Sequence, residues 1–314
     1  MLSAADAPRI AAAFDLGEAG EMHGPVARGV IGQIWRLETD RGSWAVKEWF
    51  EQPDLGELIE GVVFQEAAMA AGVPAPPVVR TAGGDWSIEL DGELVRVQGW
   101  VDMRNADPSI DPLAVGRLVA TLHQVPFVGT EPEHEWYSEP VGADRWDGLV
   151  AAARVADAPF AEQLAARRDA LVALDALVVP SAATRTCHRD LWADNLRATT
   201  AGGLCVIDWE DCGLADPSME FAVVLWEFGR TDPARARALH RAYADAGGPG
   251  HVQVPSDFSM LIAQLGHIGA RACSDWLSAD SEEARRFAAS WFAEFVDAPH
   301  TIEQIEMLLD AIAS

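Results

Sequence analysis

Short runs of alternating apolar and polar residues fill the first third of the chain, and longer runs with apolar residues three and four apart fill most of the rest. Gln33 to Glu38 alternates, Thr39-Asp40-Arg41-Gly42 has the composition of a tight turn, and Ser43 to Lys47 alternates again, which predicts a hairpin. Asp54 opens a helix running through Ala71, stopped by Gly72 and Pro74. Trp86 to Leu90 and Leu94 to Val101 predict two further strands joined through Asp91-Gly92. From Asp111 onward the period is mostly helical, with Asp111-Pro112 as the cap and first-turn pair of a helix ending near His123. The change of texture falls near residues 99 to 110. It predicts an α+β chain of two lobes: a small antiparallel-sheet lobe with one helix over residues 1–101 and a larger helical lobe over 102–314. No internal repeat is present.

Composition narrows the function classes. A chain of 314 residues with 49% hydrophobic and 23% charged residues can bury one large core or two moderate ones. Its net charge of −26, with no clustered basic residues, argues against nucleic acid as a partner, while it permits a cationic small molecule. The first residues, MLSAADAPRI, lack the basic-then-apolar pattern of a signal peptide. Apolar runs such as Phe221 to Trp226 are too short to span a bilayer. The expectation is a soluble, cytoplasmic protein with no membrane partner. Four cysteines without a C-x-x-C pair or histidines at zinc-finger spacing point to reduced thiols and no cysteine-bound metal.

One basic residue stands apart. Lys47 is the only lysine among 23 basic residues, which points either to a position that needs a compact ammonium rather than a planar guanidinium or to one surface lysine surviving by chance. The helical half is interrupted at residues 185–210, RTCHRDLWADNLRATTAGGLCVIDWE, two short strand-like pieces around Gly202-Gly203. His188, Asp190 and Asn195 form an H-x-D-x-x-x-x-N arrangement, and Asp208 follows the apolar run Cys205-Val206-Ile207; Asn195 is one of only two asparagines in the chain. Phosphoryl transfer needs positioning and charge neutralisation more than covalent chemistry. Asp190 could orient a substrate hydroxyl, Asn195 and Asp208 could supply oxygen ligands to Mg²⁺, Lys47 could hold nucleotide phosphates, and Glu66 on the following helix could hold the lysine by an ion pair.

The order of strand lysine, helix glutamate, H-x-D-x-x-x-x-N and strand-borne aspartate resembles the aminoglycoside phosphotransferase family, small-molecule kinases with a protein-kinase-like fold. The resemblance is strongest over HRDLWADN through IDWEDCGLADPSMEFA and extends to EAAMAAGVPAPP. It implies ATP and Mg²⁺ as cofactors, Asp190 as catalytic aspartate, Asn195 and Asp208 as metal ligands, and Lys47 with Glu66 as the phosphate-positioning pair. It also implies an adenine pocket lined by Gln98 to Val101, Trp100 included, through their backbone, and a His188 that holds the loop rather than moving protons.

Departures from the pattern are visible. Gly24, Gly29 and Gly32 match no phosphate-loop signature, so a nucleotide-covering loop over residues 27–33 is only loosely indicated. Asp208-Trp209-Glu210 replaces D-F-G and A-P-E is absent, which disfavours a protein substrate. Arg189 stands where many family members have Gly; a structural pair with a carboxylate such as Glu210 is expected. Asp216-Pro217 with Glu220 reads as a helix cap and first-turn acid.

Trp136, Trp146, Trp192 and Trp276 each neighbour an acid, a combination suited to a sugar or an ammonium group, although core packing is the stronger reading for any single one and Trp192 has the best claim to a substrate cleft. Trp192, Asp194, Trp146 and Trp276 are the candidate substrate residues, and residues 127–146 read as a loop-like rim. The expected activity is ATP-dependent phosphorylation of a hydroxyl on an aminoglycoside, amino sugar or related amine. The alternatives are a kinase of an amino alcohol such as choline or homoserine, and a nucleotide-binding protein that has lost catalysis; presence of all four of Lys47, Asp190, Asn195 and Asp208 stands against the latter.

Overall fold

The computed structural model describes residues 1–29, 31–50, 53–130, 133–182, 185–297 and 300–313. Its elements in chain order are α1 (Ala7–Ala13), β1 (Ala19–Arg28), β2 (Gly32–Thr39), β3 (Gly42–Trp49), α2 (Leu55–Ala70), β4 (Ser87–Leu90), β5 (Glu93–Gly99), α3 (Pro112–His123), α4 (Glu135–Ser138), α5 (Ala143–Val155) and α6 (Ala161–Asp175). There follow β6 (Arg185–Cys187), β7 (Leu196–Ala198), β8 (Leu204–Val206), β9 (Gly213–Ala215), α7 (Pro217–Gly229), α8 (Pro233–Asp245), α9 (Ser259–Ser278), α10 (Glu282–Asp297) and α11 (Ile302–Ala313). None of the described helices is long and apolar enough to cross a membrane.

The chain divides into two compact units. The first comprises Met1–Asp107, Val125–Glu131 and Ala193–Gly213. Its centre is a five-stranded antiparallel sheet in the order β1-β2-β3-β5-β4. Strand alternation sorts the two faces: Val46 is fully buried in a core with Leu37, Val95, Val97 and the α1 residues Ile10 and Phe14, so Lys47, one residue on, faces the other way. In register, Lys47 lies opposite Ile34 on one side and Arg96 on the other.

The predicted hairpin and the helix after it are both present, the helix capped by the Asp54 carboxylate accepting from the Gly56 N–H (2.7 Å). The α2 helix buries Leu58, Gly61, Val62, Gln65 and Ala68, spaced three and four apart. The hairpin β7–β8 turns through Gly202 and Gly203, both at positive φ, where only glycine sits without strain.

The second unit comprises Pro108–Gln124, Pro132–Trp192 and Leu214–Ser314. It is helical apart from the short β6–β9 pair. The α3 helix starts where the sequence predicts, with Asp111 accepting from the Leu113 N–H (3.0 Å) and Pro112 in the first turn. Asp216 caps α7 likewise, accepting from Ser218 N–H (2.8 Å). One large apolar cluster joins α5, α6, α9 and α10 through Trp146, Leu149, Leu164, Ala270, Cys273, Phe292 and Phe295, with Phe160 just before α6.

Candidate active site

In the first unit the sole lysine is gripped by two carboxylates. Lys47 Nζ donates to Glu210 Oε2 (2.5 Å) and to Asp208 Oδ1 (3.3 Å). Burial works against the ammonium, yet the attraction of Asp208 and Glu210 outweighs it and lifts the lysine above its ordinary pKa. Burial also raises the Glu210 carboxyl, with Asp208 adding to the shift and Lys47 only partly offsetting it. Arg96, across the strand from Lys47, is buried, and its Nη2 donates to Gln65 Oε1 (2.6 Å). A second cation therefore shares this face of the sheet.

Local packing sets the place of the two acids. Ile207 N–H donates to the Asn195 carbonyl (2.9 Å), tying together the two ends of the β7–β8 hairpin that carry Asn195 and Asp208. Asp208 sits at φ +61, and the 3-10 turn Trp209–Asp211 begins directly after it. Trp209 is buried, its indole N–H donating to the Val206 carbonyl (3.1 Å) and its ring lying edge-on to Phe64 of α2 (5.7 Å). Gly61 backs directly onto the Trp209 carbonyl, leaving no room there for a side-chain carbon. Thus α2 seats the turn that presents Glu210 to Lys47.

Several expectations need correction. Glu66 does not hold Lys47: it makes a two-pronged pair with Arg80 (2.6 and 2.8 Å). The cause is helix phase, since Gln65 occupies the buried stripe of α2 and Glu66 lies about 100° further round. Glu210 pairs with Lys47.

The N–H groups of Gly99 and Trp100, expected to line an adenine pocket, donate to the carbonyls of Pro77 (2.8 Å) and Ser43 (3.0 Å). The Gln98 side chain donates to Gln65 (3.1 Å), and the Trp100 indole to Asp102 (2.8 Å). The loop 27–33 contains Val30, which lies outside the described residues; at its ends Gly29 N–H donates to the Gly32 carbonyl (2.9 Å).

In the second unit Asp190 follows β6 and is partly buried, after a buried His188 and Arg189. Arg189 takes φ +65, and its guanidinium lies over the Tyr137 ring (4.7 Å). Its carbonyl accepts from Gln264 of α9 (2.6 Å), and its N–H donates to the Glu220 carboxylate.

Trp146 is no substrate platform. It is fully buried in the helical core and its indole N–H donates to Asp175 (2.9 Å). Trp276 packs against the same core, edge-on to Phe160 (5.5 Å), with Arg285 over its ring. Residues 127–146 are not a continuous loop: α4 and the start of α5 fall within them, and residues 131 and 132 lie outside the described set. Trp192 is half-buried and Asp194 exposed. Sequence reasoning missed Glu210 as the lysine's partner and Glu220 as more than a first-turn acid. The signal for the first was an acid two residues after Asp208.

A strand lysine held by the acids of an Asp-Trp-Glu turn, in a chain that also carries H-x-D-x-x-x-x-N, fits one family model, "APH: Phosphotransferase enzyme family", which matches residues 24–253. The chain belongs to this family. It is a small-molecule phosphotransferase, a kinase by reaction type.

A spectinomycin phosphotransferase solved with ADP and spectinomycin is similar in fold, with TM-score 0.69 and 11% identity over 99% of this chain and 98% of that one. An aminoglycoside phosphotransferase from Alicyclobacillus acidocaldarius gives TM-score 0.61 and 17% identity over 94% and 92%. A choline/ethanolamine kinase family protein from Mesorhizobium loti gives 0.57 and 16% over 99% and 100%. Identities this low speak for the shared protein-kinase-like fold. No curated protein matches in sequence.

Proposed function

We propose that this phosphotransferase moves the γ-phosphate of ATP to a hydroxyl of an amine-bearing small molecule, such as an aminoglycoside or amino sugar. The observation that carries the reading is the grip of Asp208 and Glu210 on Lys47: a fixed ammonium beside an exchangeable carboxylate is the pairing that phosphate oxygens and a hard cation can enter. Support for ATP comes from the ADP complex of the spectinomycin enzyme. Support for a cationic acceptor comes from the net charge of −26.

In this reading Lys47 holds the nucleotide phosphates, with Glu210 keeping its ammonium aimed. Asp190 accepts a hydrogen bond from the acceptor hydroxyl, orients it and takes its proton as the hydroxyl oxygen bonds to the γ-phosphorus and the bond from that phosphorus to the bridging oxygen breaks, releasing ADP. The donors at Asn195 and Asp208 fit Mg²⁺ in kind, an amide oxygen and a carboxylate that is two-fifths exposed (41%). These two residues would hold it, and it would supply neutralisation of phosphate charge. Trp192 and Asp194, on the stretch directly after Asp190, would face the acceptor. Gln98 and Trp100, at the end of β5, would border the adenine through side chains and carbonyls rather than through the engaged N–H groups.

An amino alcohol is the second acceptor class, favoured by the full-length fold match to the choline/ethanolamine kinase family protein. A panel of aminoglycosides, choline, ethanolamine, homoserine and neutral sugars, scored by ATP consumption with wild type and with Asp190→Asn, tests the reading. Turnover with a cationic acceptor that vanishes in the variant is expected. Turnover with neutral sugars alone would overturn the amine assignment, and equal rates in both proteins would overturn the role of Asp190.

A further inference from the structure

We infer that Arg96 is a second, fixed cation beside Lys47, a positioning residue that keeps Glu210 paired while the lysine turns from that carboxylate to phosphate. Antiparallel register puts Arg96 directly opposite Lys47 on β5, so the two side chains leave the same face of the sheet. Arg96 is nonetheless buried, only 3% exposed, and the fully buried Gln65 of α2 grips it. Gln65 Oε1 accepts from Arg96 Nη2 (2.6 Å) and from Gln98 Nε2 (3.1 Å), while Gln65 Nε2 donates to the Pro76 carbonyl (2.8 Å). Two donors on one atom and a carbonyl on the other leave a single orientation for this amide.

A neutral amide does not balance a buried guanidinium. A cation withdrawn from water without an acid beside it is costly, and Arg96 Nε has no hydrogen-bond partner among the described residues. The acid at hand is Glu210. Gly61 packs against the backbone of Trp209 and Glu210, and Gln65 lies one turn further along the same stripe of α2. One helix face thus backs onto Glu210 and holds Arg96. Lys47 and the Trp49 indole (3.4 Å) both donate to Glu210 Oε2, and no hydrogen bond among the described residues falls on Oε1. Burial pulls the guanidinium below the ordinary arginine pKa, with Glu210 and then Asp208 the strongest influences against it.

The formal charges of Lys47, Arg96, Asp208 and Glu210 cancel. If phosphate drew Lys47 from a Glu210 that had no other cation, a carboxylate with its side chain 9% exposed would be left unpaired. With Arg96 in place, the planar guanidinium meets Glu210 from a fixed seat, and the ammonium on its flexible stem is the group that moves. The exchange then needs no proton and no displacement of α2. It rests on the reading of Lys47 given above; the pairing of Arg96 with Glu210 does not.

Two measurements separate the pairing from the exchange. The first is a double-mutant cycle in urea unfolding near neutral pH, with Lys47→Met, Arg96→Met and the two combined. Each single variant leaves Glu210 one cation and the double variant leaves it none, so the double midpoint should fall by more than the two single falls together. Additive or smaller losses would overturn the pairing. The second titrates Mg-ATP into protein labelled with carbon-13 at lysine Cε, where the sole lysine gives one signal. That signal should move in wild type, and in Arg96→Met the same movement should need about tenfold more Mg-ATP or greater. Equal titrations beside a non-additive cycle would overturn the part of Arg96 in the exchange. No movement in wild type would overturn the nucleotide reading, and the cycle alone would decide the pairing. Should Arg96→Met fail to fold, Arg96→Gln, which keeps a polar contact to Gln65, carries both measurements.

Discussion

Two carboxylates, Glu210 in one unit with its side chain 9% exposed and Glu220 in the other fully buried, are held in opposite ways. Glu210 in the sheet unit faces an ammonium, with a second acid, Asp208, competing for it. Glu220 in the helical unit faces His123 Nε2 and a backbone N–H, and its carboxyl is held below the ordinary glutamate value, by the hydrogen bond and charge of His123 first. In the first cluster the Asp208 side chain is 41% exposed, which suits a group that exchanges partners with an incoming phosphate. The second is a closed set of donors and acceptors, which suits a part that must not move. In the proposed reading the first is the reaction centre and the second its scaffold.

The largest way to break the contrast is Lys47→Arg. Charge and fold should persist while turnover falls on the order of 10²-fold or more, because a planar guanidinium cannot take the ammonium's place between Asp208 and Glu210. Steady-state kinetics beside a thermal melt separates the two effects. Near-wild-type activity would make the solitary lysine a survival of chance.

Glu220→Gln should act on stability first, costing about 3 kcal/mol in urea unfolding near neutral pH, as the loss of a buried charge-assisted contact does. Its pH dependence has a definite sign. The folded carboxyl titrates below its unfolded value of about 4.3, so its contribution is complete above that pH and disappears as pH falls through the folded pKa. The stability gap between wild type and variant should narrow in acid. A gap that stays constant or widens would mean the carboxylate is not held ionised.

A smaller and sharper test pairs Glu210→Gln with Glu66→Gln. The first removes the charge that aims Lys47 and should lower kcat by about tenfold. The second removes only a half-exposed partner of Arg80, for which about 0–1 kcal/mol of stability and unchanged kinetics are expected. Loss of turnover in Glu66→Gln with none in Glu210→Gln would restore the helix glutamate as the lysine's partner.

The sheet and its lysine were legible because β2 and β3 alternate cleanly around a turn sequence, and Asp54, Asp111 and Asp216 cap helices where their sequence says they should. The edge strand β1 was not, because among its ten residues only Met22 is buried, leaving no alternation to read. The segment proposed as catalytic stands out by spacing, His188 to Asn195 and on to Asp208. Its supports did not: Glu210, Glu220, His123 and Gln264 act across elements far apart in the chain, and one-dimensional spacing carries no trace of such meetings. Glu66 misled for a related reason. One residue along a helix is about 100° of rotation, and only packing reveals that Gln65 rather than Glu66 faces inward. Trp146 misled because an acid next to an indole in sequence is not its partner in space; its true acceptor, Asp175, is 29 residues away.

Transfer of label from γ-³²P-ATP to a purified hydroxyl acceptor, followed for wild type, Lys47→Arg and Asp190→Asn, tests phosphoryl transfer by these groups most directly. The account predicts labelled acceptor with wild type and almost none with either variant, all three melting cooperatively. Equal labelling by all three would contradict it.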